Sequence, residues 1–375
     1  MTAAGRALLR VAWISDSAPA GLSCDGAYFE RHRQAALRFR VGIPARALHP
    51  LGVESAFIGL DTPAVLAHLT PERFDAVVFA KLSTPRGPTY EAFTTAYLGT
   101  AGHARARGLA VVVDLVDNVF ATDRCDFFRA LIDGASAVTV ASAALAEICR
   151  TQTGAQVTVI DDPVEGERRA PRFEPPGTTL LARLARGTAA PRRLRLLWFG
   201  GQYRSFLDLA ALFPALQAFA ATQPVELEVV TGADERVARA LAALQADGSP
   251  ALVARFTEWS LEALEAALDR CDLVLLPANL DDAMRAAASA NRLARALWAG
   301  RPVVAHPLAS YRDFSDAAWL GRDVVAGVRW ALAHPREVRD RIAAGQARLS
   351  RQYDPAAIAA RWRAAIEAAL PPAAR

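Results

Sequence analysis

Ser289, Asn291 and Arg292 are the residues whose types and spacing most directly suggest chemistry. They open the stretch AASANRLARALWAGRPVVA, residues 287–305, which otherwise reads as a helix running into a buried strand. Leu293, Ala296, Leu297 and Ala299 share one helical face, Gly300 suits a C-cap, and Val303-Val304-Ala305 suits a short parallel strand. Polar and basic groups in the first turn of such a helix suit an anion held at its N-terminus. LLWFGGQYRS is a second anion-friendly element, a strand ending in Gly200-Gly201 with Arg204 just beyond. Glycines at a strand end let main-chain amides come close to a ligand. Two such elements at one sheet edge point to phosphate, and phosphate beside α/β domains points to a nucleotide. Neither half of the chain has G-x-G-x-x-G after its first strand, and neither has a P-loop. Dinucleotide binding and nucleotide hydrolysis are therefore disfavoured.

Asp16, Lys81, Asp114, Asp117 and Asn118 form a second group, in the first half. Lys81 is the only lysine among 43 basic residues. A compact ammonium and a planar guanidinium are not interchangeable at a tight site, so this lysine calls for a reason. An aspartate at a strand end could act as general base toward a hydroxyl. Arg204, Arg292 and Lys81 could stabilise charge on a leaving phosphate. Asp117 and Asn118 suit equally well the cap of a helix beginning near Phe120. Asp161-Asp162 lacks D-x-D spacing and reads as a hinge turn. His306 follows a buried strand but has no partner in the sequence. Cys24, Cys125, Cys149 and Cys271 lie far apart, so reduced thiols and no metal site are expected.

These residues need a scaffold, and the sequence supplies alternation. Short β-branched runs at 8–14, 54–60, 74–81, 109–117, 137–142 and 156–161 are separated by helical patterns, including 28–49 (interrupted near Pro44), 90–108 and 141–154. A stretch rich in Pro, Gly and Arg follows, from 162 to 193. Strand-like runs then resume at 195–201, 225–232, 251–259, 271–278 and 301–307. An amphipathic helix over 354–370, with Asp354 as N-cap, closes the sequence. The pattern predicts two tandem α/β domains with parallel sheets and a cleft between them, with function at the C-terminal ends of the strands.

The 375 residues suit two domains, and the 53% hydrophobic, 22% charged composition is that of a globular protein. No run is long and apolar enough to span a membrane, and the short N-terminal apolar run reads as a strand rather than a signal peptide. A net charge of +4 gives no footing for nucleic-acid binding, but is compatible with peripheral contact at an anionic membrane surface. The basic cluster Arg31, Arg33, Arg38, Arg40 and Arg46 reads as a solvated helix face.

CDLVLLPANLDDAMRAAASANRLARALWAGRPVVAHP (271–307) and RLRLLWFGG carry a resemblance, supported by AVTVASAALAEI, VTVIDDPVEG, VVVDLVDNVF and RFRVGIPARALHPLG. The sequence resembles the GT-B glycosyltransferases, specifically the group related to glycosyltransferase family 4, of the bacterial surface-polysaccharide type. The resemblance implies an acceptor-binding Rossmann-like domain over 1–165 and a joining region over 166–193. A nucleotide-sugar domain over 194–350 and a crossover helix over 351–375 would complete the chain. It further implies a nucleotide-sugar donor, a glycan or lipid-linked acceptor, and no resident cofactor or metal; the spaced cysteines and the charge fit a cytoplasmic protein with peripheral contact at the cytoplasmic face of the inner membrane. Retention of anomeric configuration is favoured over inversion. Carried over by position, Gly200, Gly201, Arg204, Ser289, Asn291 and Arg292 would face the phosphates, and Phe256-Thr257 would lie near the base.

Three departures stand out. Related helices usually begin Lys-Ser-x-Asn-Arg, and here the lysine position is Ala288. Two family glutamates, near the donor sugar and the ribose, match Ala287 and Arg295, so a ribose would meet a guanidinium. A degenerate, non-catalytic protein that binds a glycan or a partner therefore stands beside the transferase. An epimerase on the same fold would need a richer set of carboxylates and histidines.

Overall fold

The computed structural model describes residues 8–19, 21–60, 63–83, 89–176, 192–201, 203–246 and 250–371. Most of the Pro/Gly/Arg-rich joining stretch falls outside these residues. The chain forms two compact units. The first comprises Met1–Pro163, Ala286–Ser289 and Gln352–Arg375, and the second comprises Val164–Arg285 and Ala290–Arg351.

The first unit is built on a seven-stranded sheet. In chain order its strands are β1 (Leu9–Ile14), β2 (Gly21–Ser23), β3 (Val53–Gly59), β4 (Ala76–Ala80), β5 (Ala110–Leu115), β6 (Ala137–Val140) and β7 (Val157–Val159). Their spatial order is β2-β3-β1-β4-β5-β6-β7, parallel except for β2, which runs antiparallel along β3 at the edge. The central strands are apolar on both faces because both are covered, as parallel sheets require. The period-two alternation is visible in β1: Ala12 and Ile14 pack on one face, Val11 and Trp13 on the other. Helices Thr89–Ala106, Cys125–Asp133 and Ala143–Thr153 supply apolar residues to the first face. The last of these is capped by the Ser142 hydroxyl, which accepts from the Leu145 amide at 3.1 Å. The final helix, Pro355–Ala369, covers the second face, with Trp362 edge-on to Trp13 at 5.3 Å. Asp354 caps it through the Ala356 amide, as the sequence predicts.

The second unit has a six-stranded sheet. It is formed by β8 (Leu194–Phe199), β9 (Val225–Thr231), β10 (Leu252–Glu258), β11 (Leu273–Leu276), β12 (Val303–Ala305) and β13 (Trp319–Leu320). All pair in parallel, in the order β10-β9-β8-β11-β12-β13. In both sheets the connections leave in opposite directions from one central pair: β8 and β11 in the second unit, β1 and β4 in the first. Open α/β sheets leave a crevice at the C-terminal edge of such a pair.

Two sequence expectations are corrected. The helix expected to start at Ala287 starts at Asn291 and runs to Trp298, because residues 287–289 are held by tertiary bonds. The Ser142 hydroxyl donates to the Ala287 carbonyl at 2.9 Å, and the Ser289 hydroxyl donates to Asp162 at 2.6 Å. The helix expected over 28–49 is broken into Ala27–Glu30, Ala35–Leu37, a π-helical turn at Arg38–Gly42, and Ile43–Leu48. Pro44 has no amide hydrogen to continue the ladder, consistent with a wide turn just before it.

That turn also overturns the solvated-face reading for two of its arginines. Arg38 is 3% exposed and Arg40 is fully buried. Arg40 donates through Nε and Nη2 to Asp114, at 3.0 and 2.7 Å, and lies 3.3 Å from Asp162. It also donates to the Ile160 carbonyl and lies over the Trp362 ring. Asp114 accepts a further bond from the Thr139 hydroxyl and is 3% exposed. Asp114 is therefore a core ion-pair partner inside β5 and does not face the crevice at the strand end.

Candidate functional site

At the crevice of the second unit, β8 runs into Gly200-Gly201 and then the helix Tyr203–Ala210. Opposite it, β11 runs into a loop and the short helix Ala283–Ala286. Gly200 packs against the indole of Trp198, where a Cβ would come within 2.8 Å of the ring and 3.6 Å of Arg292 Nη1. Arg292, in the first turn of Asn291–Trp298, thus reaches the glycine turn. Among the described residues its guanidinium makes no hydrogen bond or ion pair.

Arg204 is paired with Asp282 at 2.9 Å. Arg285 donates from Nη2 to the Ser205 hydroxyl at 2.6 Å, and its Nε lies 3.5 Å from Asp208 Oδ2. Three guanidiniums thus stand at this edge against two carboxylates. Burial pushes the Asp208 carboxyl up from the usual range, with Arg285 and the Asn279 amide opposing. Burial and the nearby Arg292 push Arg285 down. Among the described residues Arg292 has no carboxylate partner at this edge, and an anion would supply one.

Sequence reading brings together Gly200, Gly201, Arg204 and Arg292 here; it missed Ser205, Asp208, Asp282 and Arg285. The available signal was spacing. Arg204 and Asp208 are four apart on a predicted helix, and Asp282 and Arg285 are three apart in DDAMR, both distances that share a helical face.

The other expected donor residues lie elsewhere. Ser289 is bonded to Asp162 in the first unit. Asn291 opens the helix beside Arg292. Arg295, 4% exposed, forms an ion pair with Glu265, and among the described residues its Nε and Nη1 find no hydrogen-bond partner. Phe256 and Thr257 are on the edge strand β10, where the Thr257 hydroxyl donates to Glu228 at 2.8 Å. Glu228 also binds Arg255 and Arg270, so Thr257 belongs to a polar cluster on the sheet. His306 bridges two loops: Nδ1 accepts from the Ala278 amide at 3.0 Å, and Nε2 lies 3.1 Å from the Arg322 carbonyl.

At the crevice of the first unit, Lys81 leaves β4 with φ +50, the only positive φ at a non-glycine among the described residues. An L-residue in this region is strained by roughly 1 kcal/mol or more. The turn is held by the Ser15 hydroxyl, which donates to the Lys81 carbonyl at 3.3 Å. The Lys81 ammonium is 2.7 Å from Asp117. Asp16 accepts from the Ser83 amide at 2.6 Å, and burial pushes its carboxyl up against that bond and Lys81. Among the described residues this edge carries one ammonium and two carboxylates. Asn118 precedes a short 3-10 turn, Val119–Ala121, and makes no side-chain cap there. Asp161 pairs with Arg361 of the final helix at 2.9 Å.

No family model and no curated protein matches this sequence. Solved structures do match its fold. HepE of Anabaena, solved with UDP-glucose, superposes with a TM-score of 0.64 at 13% identity, covering 96% of this chain and 99% of that one. A glycosyltransferase of Rickettsia africae superposes at 0.61 and 10% identity, covering 97% and 99%. WaaG, a glycosyltransferase involved in lipopolysaccharide biosynthesis, superposes at 0.55 and 16% identity, covering 95% and 98%. The fold is that of the GT-B glycosyltransferases. Within that GT-B fold, the β8/β11 and β1/β4 crevices are where the polar side chains described above collect. Among the described residues no helix is long and apolar enough to cross a membrane. No group of three or more His, Cys, Asp or Glu side chains among them could hold a metal ion.

Proposed function

We propose that this chain is a glycosyltransferase that moves a sugar from a nucleotide-sugar donor to a glycan or lipid-linked acceptor. The observation that carries this reading is the guanidinium of Arg292, beside Gly200 at the β8/β11 crevice and without a bonded partner among the described residues, with Arg285 and Arg204 at the same edge. As the bond between the anomeric carbon and the phosphate oxygen breaks, negative charge collects on the phosphate. Fixed guanidiniums and the amide of Gly201 stabilise it most at that point, the Gly200 amide being bonded to the Val230 carbonyl. Arg292 and Arg285 can supply the positive charge that a metal ion supplies in other transferases. Holding the leaving phosphate this way suits transfer with retention. The donor phosphates belong at the second unit.

The acceptor belongs at the first unit, where Asp16 and Asp117 can accept hydrogen bonds from hydroxyls and Lys81 can donate one. The setting we favour is assembly of a bacterial surface polysaccharide at the cytoplasmic face of the inner membrane, supported by the likeness to WaaG.

A second reading, a protein that keeps the fold without catalysis, is favoured by one observation. Where related enzymes offer a carboxylate to the ribose, Arg295 is buried against Glu265. The two are separated by a thermal-shift panel of UDP-, GDP-, dTDP-, ADP- and CMP-sugars with their free nucleotides, run on the wild type and on Arg292→Ala. A ligand that binds only the folded state stabilises it by RT ln(1 + [L]/Kd). A rise with one nucleotide class, lost in Arg292→Ala and accompanied by slow donor hydrolysis, supports the transferase. Binding without hydrolysis supports the second reading, and no rise with any ligand removes the donor site.

A further inference from the structure

The donor site lacks one expected part, because Ala288 stands where related helices carry a phosphate-facing lysine. We propose that Arg285 is the second phosphate-binding cation of this crevice, set in place by Ser205 and Asp208, and that it makes the site prefer a diphosphate over a monophosphate. The proposal rests on the donor reading above.

Its basis is the way Arg285 is held. Arg204, at the same edge, is neutralised by a carboxylate at 2.9 Å and is largely exposed. Arg285 is only 16% exposed, yet its close partner is a neutral hydroxyl, and its carboxylate stands off at 3.5 Å. Asp208 Oδ2 finds no hydrogen-bond partner among the described residues. A half-buried guanidinium held this loosely keeps donors for a ligand. Arg285 also ties the two sides of the crevice together, since it rises from the helix after β11 and reaches Ser205 on the helix after β8. Arg292 stands next to Gly200 and acts electrostatically on both Arg285 and Asp208. One phosphate on Arg292 and the glycine turn leaves Arg285 for the next. Burial and Arg292 both disfavour its charged form, and an anion would reverse that penalty.

The test compares UDP, GDP, dTDP, ADP and CDP, each against its own monophosphate, by calorimetry on the wild type, Arg285→Gln, Arg285→Lys and Arg292→Ala. Arg285→Gln should weaken the preferred diphosphate by about tenfold to a hundredfold, the loss of one charge-assisted contact. Its monophosphate affinity should stay near wild type, and Arg285→Lys should restore part of the ratio. An unchanged diphosphate-to-monophosphate ratio in Arg285→Gln, with binding still lost in Arg292→Ala, overturns this proposal and leaves the donor reading standing. No nucleotide binding by the wild type removes both. Should Arg285→Gln fail to fold, Ser205→Ala carries the test. Freeing the guanidinium should narrow the ratio, and an unchanged ratio overturns the proposal.

Discussion

Replacing Arg40 by methionine should cost the first unit about 3–5 kcal/mol, the penalty for removing one partner of a buried ion pair. The magnitude follows from what the guanidinium holds. It makes two charge-assisted bonds to Asp114, at 3.0 and 2.7 Å, and both side chains are fully buried. It also satisfies the Ile160 carbonyl, lies 3.3 Å from Asp162, and packs over Trp362 at 5.2 Å. Burial alone would push the Arg40 guanidinium down, but the two carboxylates overcome it and hold it charged. Methionine roughly fills the aliphatic space and leaves Asp114, among the described residues, with the Thr139 hydroxyl as its one side-chain donor. At about 2–4 °C per kcal/mol for a unit of this size, Tm should fall by about 6–20 °C. Urea unfolding followed by hydrogen exchange at β1 and β5 amides reads this unit directly. Arg40→Met/Asp114→Leu should recover part of the loss, because the Asp114 charge is then no longer left unpaired, while Asp162 loses Arg40 and keeps the Ser289 hydroxyl. A loss below about 1 kcal/mol in Arg40→Met, or a double variant as damaged as the single one, would refute the ion-pair argument.

Three further outcomes follow. Lys81→Gly should hold or raise Tm, because glycine adopts φ +50 without strain, while sugar transfer is lost; a fall in Tm with activity intact would assign the strained turn to stability alone. Gly300→Ala should lower the unfolding free energy by about 2 kcal/mol or more, read as a lower urea midpoint, because φ is +71 and a Cβ there would strike the Ala170 carbonyl. Asp16→Asn should stabilise at neutral pH and match the wild type in acid. The folded carboxyl titrates above its unfolded range, so protonation favours the fold and that gain is lost as pH rises through the folded value; pH-dependent melting of both proteins checks the sign.

The strands were legible because parallel, doubly covered strands leave long β-branched runs such as AVVFA and AVVVDL. The cap at Asp354 was legible because capping is local. Arg40 was not, because its partners lie 74 and 122 residues away, and a charge reads as solvated until its counter-charge is placed. The start of the helix at Asn291 was missed for a related reason. Ala287, Ala288 and Ser289 suit a helix on propensity, but bonds to Ser142 and Asp162 hold them outside it. At the β8/β11 crevice the nearness of Gly200 and Arg292 was legible, while Arg285 was hidden in a stretch whose neighbours looked like ordinary surface.

The two crevices share one topological origin and, among the described residues, differ in sign, which is the ground for the roles proposed for them. The β8/β11 edge sets Arg204, Arg285 and Arg292 against Asp208 and Asp282, and burial further weakens the Asp208 charge. Such an edge attracts phosphate. The β1/β4 edge sets the ammonium of Lys81 against Asp16 and Asp117. An anion placed there would face both carboxylates, whereas a sugar hydroxyl would find two acceptors and one donor. Lysine serves that edge better than arginine, because a single compact charge can pair with Asp117 and still leave N–H groups for a ligand. A lipid-linked acceptor that carries phosphate would therefore have to hold it away from Asp16 and Asp117 and present only its sugar to them.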